Sequence, residues 1–354
     1  MLRCSRRSPS DRNSRERTRR RRASFLGSVP RVEMIPKRRM ILASGRSHPE
    51  LSAKIAAHLG IELSEPNLRE FANGEVHCRF DTSLRGSDVF LIQTHCDSVN
   101  DSIMEQLIMI DAAKRASAKR ITAVCPFYGY SRQDRKSTGR EPITAKLVAD
   151  MLQAAGVDRV MSVDLHSGQI QGFFNVPVDH LTASPIIENY LRENVKSDLV
   201  IVSPDAGRVK VAERYAKHLG ADLALVHKTR PRGTINQVEA LHVVGDVEGR
   251  HCVLIDDMID TAGTICAAGD LLMKSGAKDI WAMATHPILS NPAAERLKNS
   301  AFSRVVVTDT LPIPEEHRFD GLEILTVADV IGQGIDAVFE DNSVSEIFGG
   351  ENLA

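Results

Sequence analysis

The chain of 354 residues is 42% hydrophobic and 26% charged, with a formal net charge of −1. That fits a globular protein of about two domains, and no apolar stretch is long enough to cross a membrane, so no membrane partner is expected. The small net charge hides an asymmetry: residues 1–39 are dense in arginine (Arg3, Arg6, Arg7, Arg12 and Arg19 to Arg22 among them) and the remainder is acidic, which argues against nucleic acid as the main partner of the folded part.

The Arg-rich head, residues 1–38, is expected to be disordered. It reads as an extension upstream of a true start at Met34 or Met40, as a transit-like peptide, or as a basic tail for acidic partners. The first reading is preferred, because Arg39-Met-Ile-Leu-Ala-Ser44 looks like the opening strand of a domain that begins near its own methionine. The cysteines (Cys4, Cys78, Cys96, Cys125, Cys252, Cys266) lack CxxC spacing and several lie in apolar runs. They read as reduced, buried thiols of a cytoplasmic protein.

Met40 to Ala43 is the first predicted strand. Pro49 to Leu59 is a helix with Leu51, Ile55 and Leu59 on one face and Gly60 as its stop. In Phe71-Ala-Asn-Gly-Glu75 an aromatic ring can stack on a base while Asn73 and Glu75 hydrogen-bond its edge; the segment reads equally well as an Asn-Gly hairpin turn. Val89 to Gln93 is a strand, Ser102 to Ala116 a helix with Asp101 as its cap, and Ile121 to Cys125 a strand. The polar loop that follows holds Arg132, Arg135, Lys136 and Arg140, able to neutralise a polyphosphate where α/β sheets bind ligands. A solvated basic loop is the plainer alternative. Pro142 to Ala155 is a helix and Val160 to Val163 a strand. Just past strand ends stand His166 and, later, Asp205. The two can share one Mg2+, directly or through water, although a lone histidine is more often a packed or surface residue.

A second series of strands follows at Leu199 to Val202, Leu223 to Val226, Cys252 to Ile255, Ile280 to Met283, Val305 to Val307 and Leu322 to Thr326. Helices fall between most of them. The alternation predicts an α/β protein of two doubly wound parallel-sheet domains, with the boundary near residues 180–190. After Val226, the segment His227 to Arg232 opens a stretch of little apolar content. It reads as a mobile loop that brings Lys228 and Arg230 onto a charged intermediate, or as a surface turn around Pro231.

The most informative stretch is Val253-Leu-Ile-Asp-Asp-Met-Ile-Asp-Thr-Ala-Gly-Thr-Ile265. An apolar run breaks into Asp256 and Asp257, passes Asp260, Thr261, Ala262, Gly263 and Thr264, and enters a small-residue helix. Loop N–H groups and a helix N-terminus make a cup for phosphate. Ionised Asp256 and Asp257 only accept hydrogen bonds, which suits sugar hydroxyls or the waters of Mg2+. A capped strand-to-helix turn explains one Asp and one Gly, not three acids and two threonines in nine positions.

This stretch resembles the phosphoribosyl-pyrophosphate motif of type I phosphoribosyltransferases and ribose-phosphate pyrophosphokinases. Further stretches resemble the second family alone: Phe71 to Glu75, Tyr128-Gly-Tyr-Ser-Arg-Gln-Asp-Arg135, Arg140 to Thr144, Asp164-Leu-His166, Gln169 to Phe174, Ser203-Pro-Asp-Ala-Gly207 and Thr285-His-Pro287. The resemblance implies transfer of the diphosphoryl group of ATP to the C1 hydroxyl of ribose 5-phosphate, with AMP leaving. It implies that Asp260, Thr261, Ala262, Gly263 and Thr264 hold the 5-phosphate and Asp256 and Asp257 the ribose hydroxyls. Arg132 and Gln133 contact ATP, and Phe71, Asn73 and Glu75 reach the adenine from a neighbouring subunit of a homo-oligomer, typically a hexamer. His166 and Asp205 are the Mg2+ positions, and Lys228 and Arg230 the catalytic-loop cations. Ser83, Arg85, Arg140 and Ser343 fall where phosphate and ADP act as effectors. On this reading residues 39–185 are the ATP side and residues 186–348 the phosphoribosyl side, with the last residues packing back on the first domain. Two departures stand out: the Arg-rich head, and Arg208 where the family more often has a second glycine. A phosphoribosyltransferase would have no use for Phe71 or the Arg132 loop. A silent regulatory homologue would have lost its cations or metal positions.

Overall fold

The computed structural model describes residues 38–96, 98–196, 198–229 and 240–348. The head up to residue 37, and Arg230 of the expected loop, lie outside the described residues.

In chain order the first half runs β1 (Met40–Ser44), α1 (Pro49–Leu59), β2 (Leu63–Ser64), β3 (Asn67–Glu70), β4 (Val76–Arg79), β5 (Asp88–Ile92), α2 (Val99–Arg115), β6 (Arg120–Cys125), α3 (Thr144–Ala155), β7 (Arg159–Val163), β8 (Val178–Leu181) and α4 (Ser184–Asn194). The second half runs β9 (Leu199–Ser203), α5 (Val209–Leu219), β10 (Asp222–Thr229), β11 (Ala240–Val244), β12 (His251–Ile259), α6 (Gly263–Lys274), β13 (Asp279–Pro287), α7 (Ala293–Lys298), β14 (Arg304–Thr308), β15 (Leu322–Leu325) and α8 (Ala328–Phe339). Six strands form a parallel sheet in the order β2-β1-β5-β6-β7-β8, and seven form a second in the order β11-β10-β9-β12-β13-β14-β15. In the second sheet β11 alone runs antiparallel, against β10, a departure from the all-parallel expectation. Strands β3 and β4 make a separate hairpin.

The central strands are apolar on both faces because helices cover both. On β5, Val89 and Leu91 enter one core layer while Phe90 and Ile92 enter another. The second of these layers also holds Val253 and Ile255 of β12, Ile201 of β9 and Ile331 and Ile335 of α8, so both sheets share one core. Helix α8 reaches back to α1, where Asp329 accepts from His58 Nδ1 at 2.9 Å.

Several predicted boundaries shift for identifiable reasons. Helix α2 begins at Val99 rather than Ser102, so Asp101 lies inside the first turn, where a carboxylate favours the helix N-terminus. Helix α3 begins at Thr144, two residues past Pro142. Strand β12 does not stop at the acids. It continues to Ile259, because the equally long β13 stays paired with it as far as Pro287.

Candidate active site

The chain order of the second sheet reverses between β9 and β12, and a parallel sheet opens a crevice past the carboxyl ends at such a point. The carboxyl ends of the first sheet face it. After β5, Thr94 Oγ1 donates to Thr310 O at 2.7 Å, and His48 Nε2 donates to Asp309 O at 2.9 Å. Past β7, Asp164 accepts from Thr285 Oγ1 at 2.6 Å. The cleft therefore has one wall from each sheet.

Strand β9 pairs with β12 only as far as Leu254, so Asp256 and Asp257 lie beyond its end, half-buried at the rim. Arg208, between β9 and α5, makes an ion pair with Asp257 and places Nε 3.4 Å from Asp256 Oδ1. His166, from the first sheet, places Nδ1 2.7 Å from Asp257 Oδ2. An ionised carboxylate cannot donate, so the proton is on Nδ1 and, in the neutral ring, Nε2 keeps a lone pair. Arg208 Nη2 lies 2.8 Å from the same Nδ1; with that nitrogen protonated, the guanidinium finds its acceptor in Asp257.

Burial and the neighbouring Asp257 carboxylate push Asp256 up to about 8. Burial also acts to raise Asp257, but the His166 hydrogen bond and the Arg208 charge outweigh it and hold Asp257 at about 2. The pair thus shares one proton at neutral pH. Because folding raises Asp256 above its unfolded value, the folded state takes up a proton there, and stability falls as pH rises from the ordinary carboxylate range through about 8. Asp256→Asn is expected to raise the melting temperature relative to wild type, by an amount near zero at about pH 4 that grows until about pH 8.5. A difference independent of pH in thermal scans would refute this.

Beyond the acids, Asp260 to Thr264 turn from β12 into α6. Ala262, the N-cap of α6, has φ 60° and is buried. This left-handed conformation costs an alanine about 1–2 kcal/mol, so the loop holds a shape that propensity opposes. Gly263 and Thr264 are exposed, and the first N–H groups of a helix have no intrahelical partners. Arg296 of α7 donates from Nη1 to Thr261 O at 2.9 Å.

The facing wall is the loop after β6. Gly129 N donates to His95 Nδ1 at 2.9 Å, while His95 Nε2 donates to Gln106 Oε1 at 2.8 Å. Burial lowers His95 to about 4, so it stays neutral in this tautomer. A Cβ on Gly129 would lie 2.9 Å from His95 Cβ, so only glycine lets the loop pass this close. The loop is pinned again at Gln133, whose Oε1 accepts from Thr144 Oγ1 at 2.5 Å. Between these anchors Arg132 reaches across and donates from Nη1 to Asp260 Oδ2 at 2.7 Å. Burial acts to raise Asp260, but bonds from Ser290 and Arg132 hold it below the usual carboxylate range.

Asp205 lies past β9, exposed, and its Oδ1 accepts from Gly207 N at 2.8 Å and Arg208 N at 3.1 Å. Arg208 links it to His166, since the main chain of Arg208 binds Asp205 while its side chain reaches the imidazole. Among the described residues no three His, Cys, Asp or Glu side chains converge as a metal-ligand set. A Mg2+ carried by a nucleotide needs only one or two protein groups, and the His166 Nε2 lone pair and the free Asp205 oxygen suit that lesser demand.

Lys228 lies near the end of β10, which runs parallel to β9 and so emerges at the cleft edge. The structure describes its main chain only. Phe71, Asn73 and Glu75 form the exposed tip of the β3–β4 hairpin, with Phe71 49% exposed. Among the described residues no hydrogen bond or ion pair joins that tip to the cleft. Arg135, Lys136 and Arg140 are exposed on the loop before α3. Ser83 and Arg85 precede β5, at the amino edge of the first sheet, where Ser83 O accepts from Arg39 Nη1 at 3.2 Å. Ser343 follows α8, two residues from Asp341, which pairs at 2.8 Å with Arg120 at the start of β6. These three residues lie at the edge opposite the cleft, and Arg140 is not with them. Sequence reading did not single out His95 or Arg296. Neither sits in a run that marks it, and each acts through a fold contact.

Fold and cleft together define a class: a two-sheet α/β protein whose carboxyl edges enclose acids, a strand-to-helix loop at the N-terminus of α6 and an opposing arginine. Residues 40–156 match the family model of the N-terminal domain of ribose phosphate pyrophosphokinase, and residues 229–349 match that of the phosphoribosyl synthetase-associated domain. The ribose-phosphate pyrophosphokinase of Bifidobacterium longum is 55% identical over 321 residues, covering 90% of this chain and 94% of that one. That of Streptomyces avermitilis is 54% identical over 318 residues, covering 90% and 98%. The crystal structure of phosphoribosylpyrophosphate synthetase from Mycobacterium smegmatis superposes with a TM-score of 0.82 at 51% identity, covering 86% of this chain and all of that one. The chain belongs to the ribose-phosphate pyrophosphokinase family.

Proposed function

We propose that the protein is a ribose-phosphate diphosphokinase, making 5-phosphoribosyl 1-pyrophosphate and AMP from ribose 5-phosphate and ATP. The observation that carries this is the 2.7 Å contact between Arg132 and Asp260, which brings a basic loop of one sheet against the sugar-phosphate loop of the other. A transferase that only consumes the activated sugar binds no ATP for a basic loop of the other sheet to face.

In this reading the N–H groups of Gly263 and Thr264 and the hydroxyls of Thr261 and Thr264 receive the 5-phosphate. Asp256 and Asp257 accept from the ribose hydroxyls and fix the ring. Arg132 and Gln133 face the nucleotide. The C1 hydroxyl oxygen attacks the β-phosphorus in line. The bond from that phosphorus to the bridging oxygen of AMP breaks, AMP leaves with the oxygen, and the hydroxyl proton is released. Such a transfer demands alignment and cations more than covalent chemistry; Lys228, on β10, is one such cation, and Arg230 is assigned as the second. Mg2+ bound to the triphosphate, against His166 and Asp205, would offset phosphate charge. The first sheet forms the ATP-side domain and the second the phosphoribosyl-side domain. Phe71, Asn73 and Glu75, which among the described residues have no hydrogen bond or ion pair to this cleft, serve a neighbouring subunit of a homo-oligomer, a hexamer in this reading. Ser83, Arg85 and Ser343, with Arg140, respond to phosphate and ADP, and the enzyme works in the cytoplasm.

Incubation with ATP, Mg2+ and ribose 5-phosphate should give AMP and the pyrophosphorylated sugar in equal amounts. Formation of ADP, or no nucleotide turnover, would overturn the proposal. Asp260→Ala should raise KM for ribose 5-phosphate by roughly tenfold, the size expected when a charged hydrogen-bonding group that shapes the loop is lost. An unchanged KM would remove Asp260 from the sugar site.

A further inference from the structure

We propose that Arg296 is a binding residue for the 5-phosphate and sets the preference for a phosphorylated sugar. The inference rests on the reading of residues 260–264 as the sugar-phosphate loop. Arg296 lies on α7, away from every motif that marks the cleft in sequence. Its Nη1 donates to Thr261 O at 2.9 Å, and a Cβ placed on Gly263 would lie 3.5 Å from the same nitrogen. The guanidinium therefore stands at the open face of Gly263, beside the first N–H groups of α6.

Charge strengthens the case. A 5-phosphate is a dianion near neutral pH, and Asp260 in the same loop is an anion held in its ionised form. Helix N-terminal N–H groups supply about half an elementary charge, too little to offset both. Arg132 already has Asp260 as its counter-ion. Arg296 is exposed, and its recorded partner is a neutral carbonyl, with no carboxylate in ion-pair distance among the described residues. A cation without a counter-anion, beside a loop shaped for an anion, is completed by the phosphate. A guanidinium that gives one N–H to Thr261 has four left, enough for a two-point grip on phosphate oxygens.

The test is ribose 5-phosphate binding to the full chain by calorimetry, with wild type, Arg296→Lys and Arg296→Gln. Glutamine keeps an N–H donor but has lost the charge; lysine keeps the charge. Arg296→Gln should weaken binding by about tenfold to thirtyfold and flatten the loss of affinity with added KCl. Arg296→Lys should recover most of both, and the melting temperature should stay within about 1 °C, since the side chain is at the surface. Wild-type affinity in Arg296→Gln, or a loss that lysine does not restore, would reduce Arg296 to a prop for the loop. If wild type makes AMP but both variants bind alike, this inference fails while the proposed function stands. If wild type does not bind the sugar phosphate at all, the site reading falls and takes this inference with it.

Discussion

Arg208→Ala is expected to lower stability by about 3–5 kcal/mol, the range for removing one partner of a buried ion pair. Arg208 is 15% exposed and Asp257 9%, so neither can turn to water for compensation. Without the guanidinium, the Asp257 carboxylate keeps only the His166 imidazole and the proton shared with Asp256 to offset its charge. For a fold of this size the loss corresponds to a fall in melting temperature of roughly 5–10 °C. The loss should depend on pH with a definite sign. Asp257 is held at about 2, below its unfolded value, so its contribution is present above the ordinary carboxylate range and is lost as pH falls toward about 2. The double variant Arg208→Ala, Asp257→Asn should recover most of the stability, because the stranded charge is gone. Denaturant titration of the single and double variants checks this. Equal destabilisation of both would mean that Arg208 contributes packing rather than charge.

Lys228→Ala should reduce turnover by about a hundredfold to a thousandfold, the effect of removing one preorganised charge-stabilising donor from a transition state. ATP binding should change only a few-fold, because the lysine is assigned to charge that develops during transfer and not to the bound ground state. The backbone supports the placement: β10 outruns β9, whose pairing ends at Ser203 with Leu225, and carries Lys228 three positions further along the cleft edge. Steady-state kinetics separates the two quantities. Wild-type turnover would take Lys228 out of the mechanism, and a rise in KM for ATP with unchanged turnover would make it a substrate anchor.

The fold was legible because its signals are local. The apolar runs at Met40, Val89, Ile121, Cys252 and Ile280 are buried strands, and Pro49 and Gly60 bracket a helix as their backbone preferences require. The antiparallel β11 was not legible, since Ala240 to Val244 follows a stretch with no periodic signal. The end of β12 was misjudged because acids usually mark a strand end, whereas here β13 supplies a partner for the whole length. Within the candidate site, residues 256–264 declared themselves by their density of acids and hydroxyls. What sequence could not give was juxtaposition. Arg132 and Asp260 are 128 positions apart. Arg208 was visible only as an unusual residue in its loop, yet it is the cation that holds Asp257. His95 does its work as a buried neutral acceptor for Gly129, a role that no spacing announces.

The most direct measurement is a crystal structure with ribose 5-phosphate and a non-hydrolysable ATP analogue bound together. The 5-phosphate should lie on the N–H groups of Gly263 and Thr264, with the β-phosphorus in line with the C1 hydroxyl and the triphosphate on the Arg132 side of the cleft. Sugar and nucleotide on separate surfaces, or a sugar phosphate bound away from residues 260–264, would contradict the account.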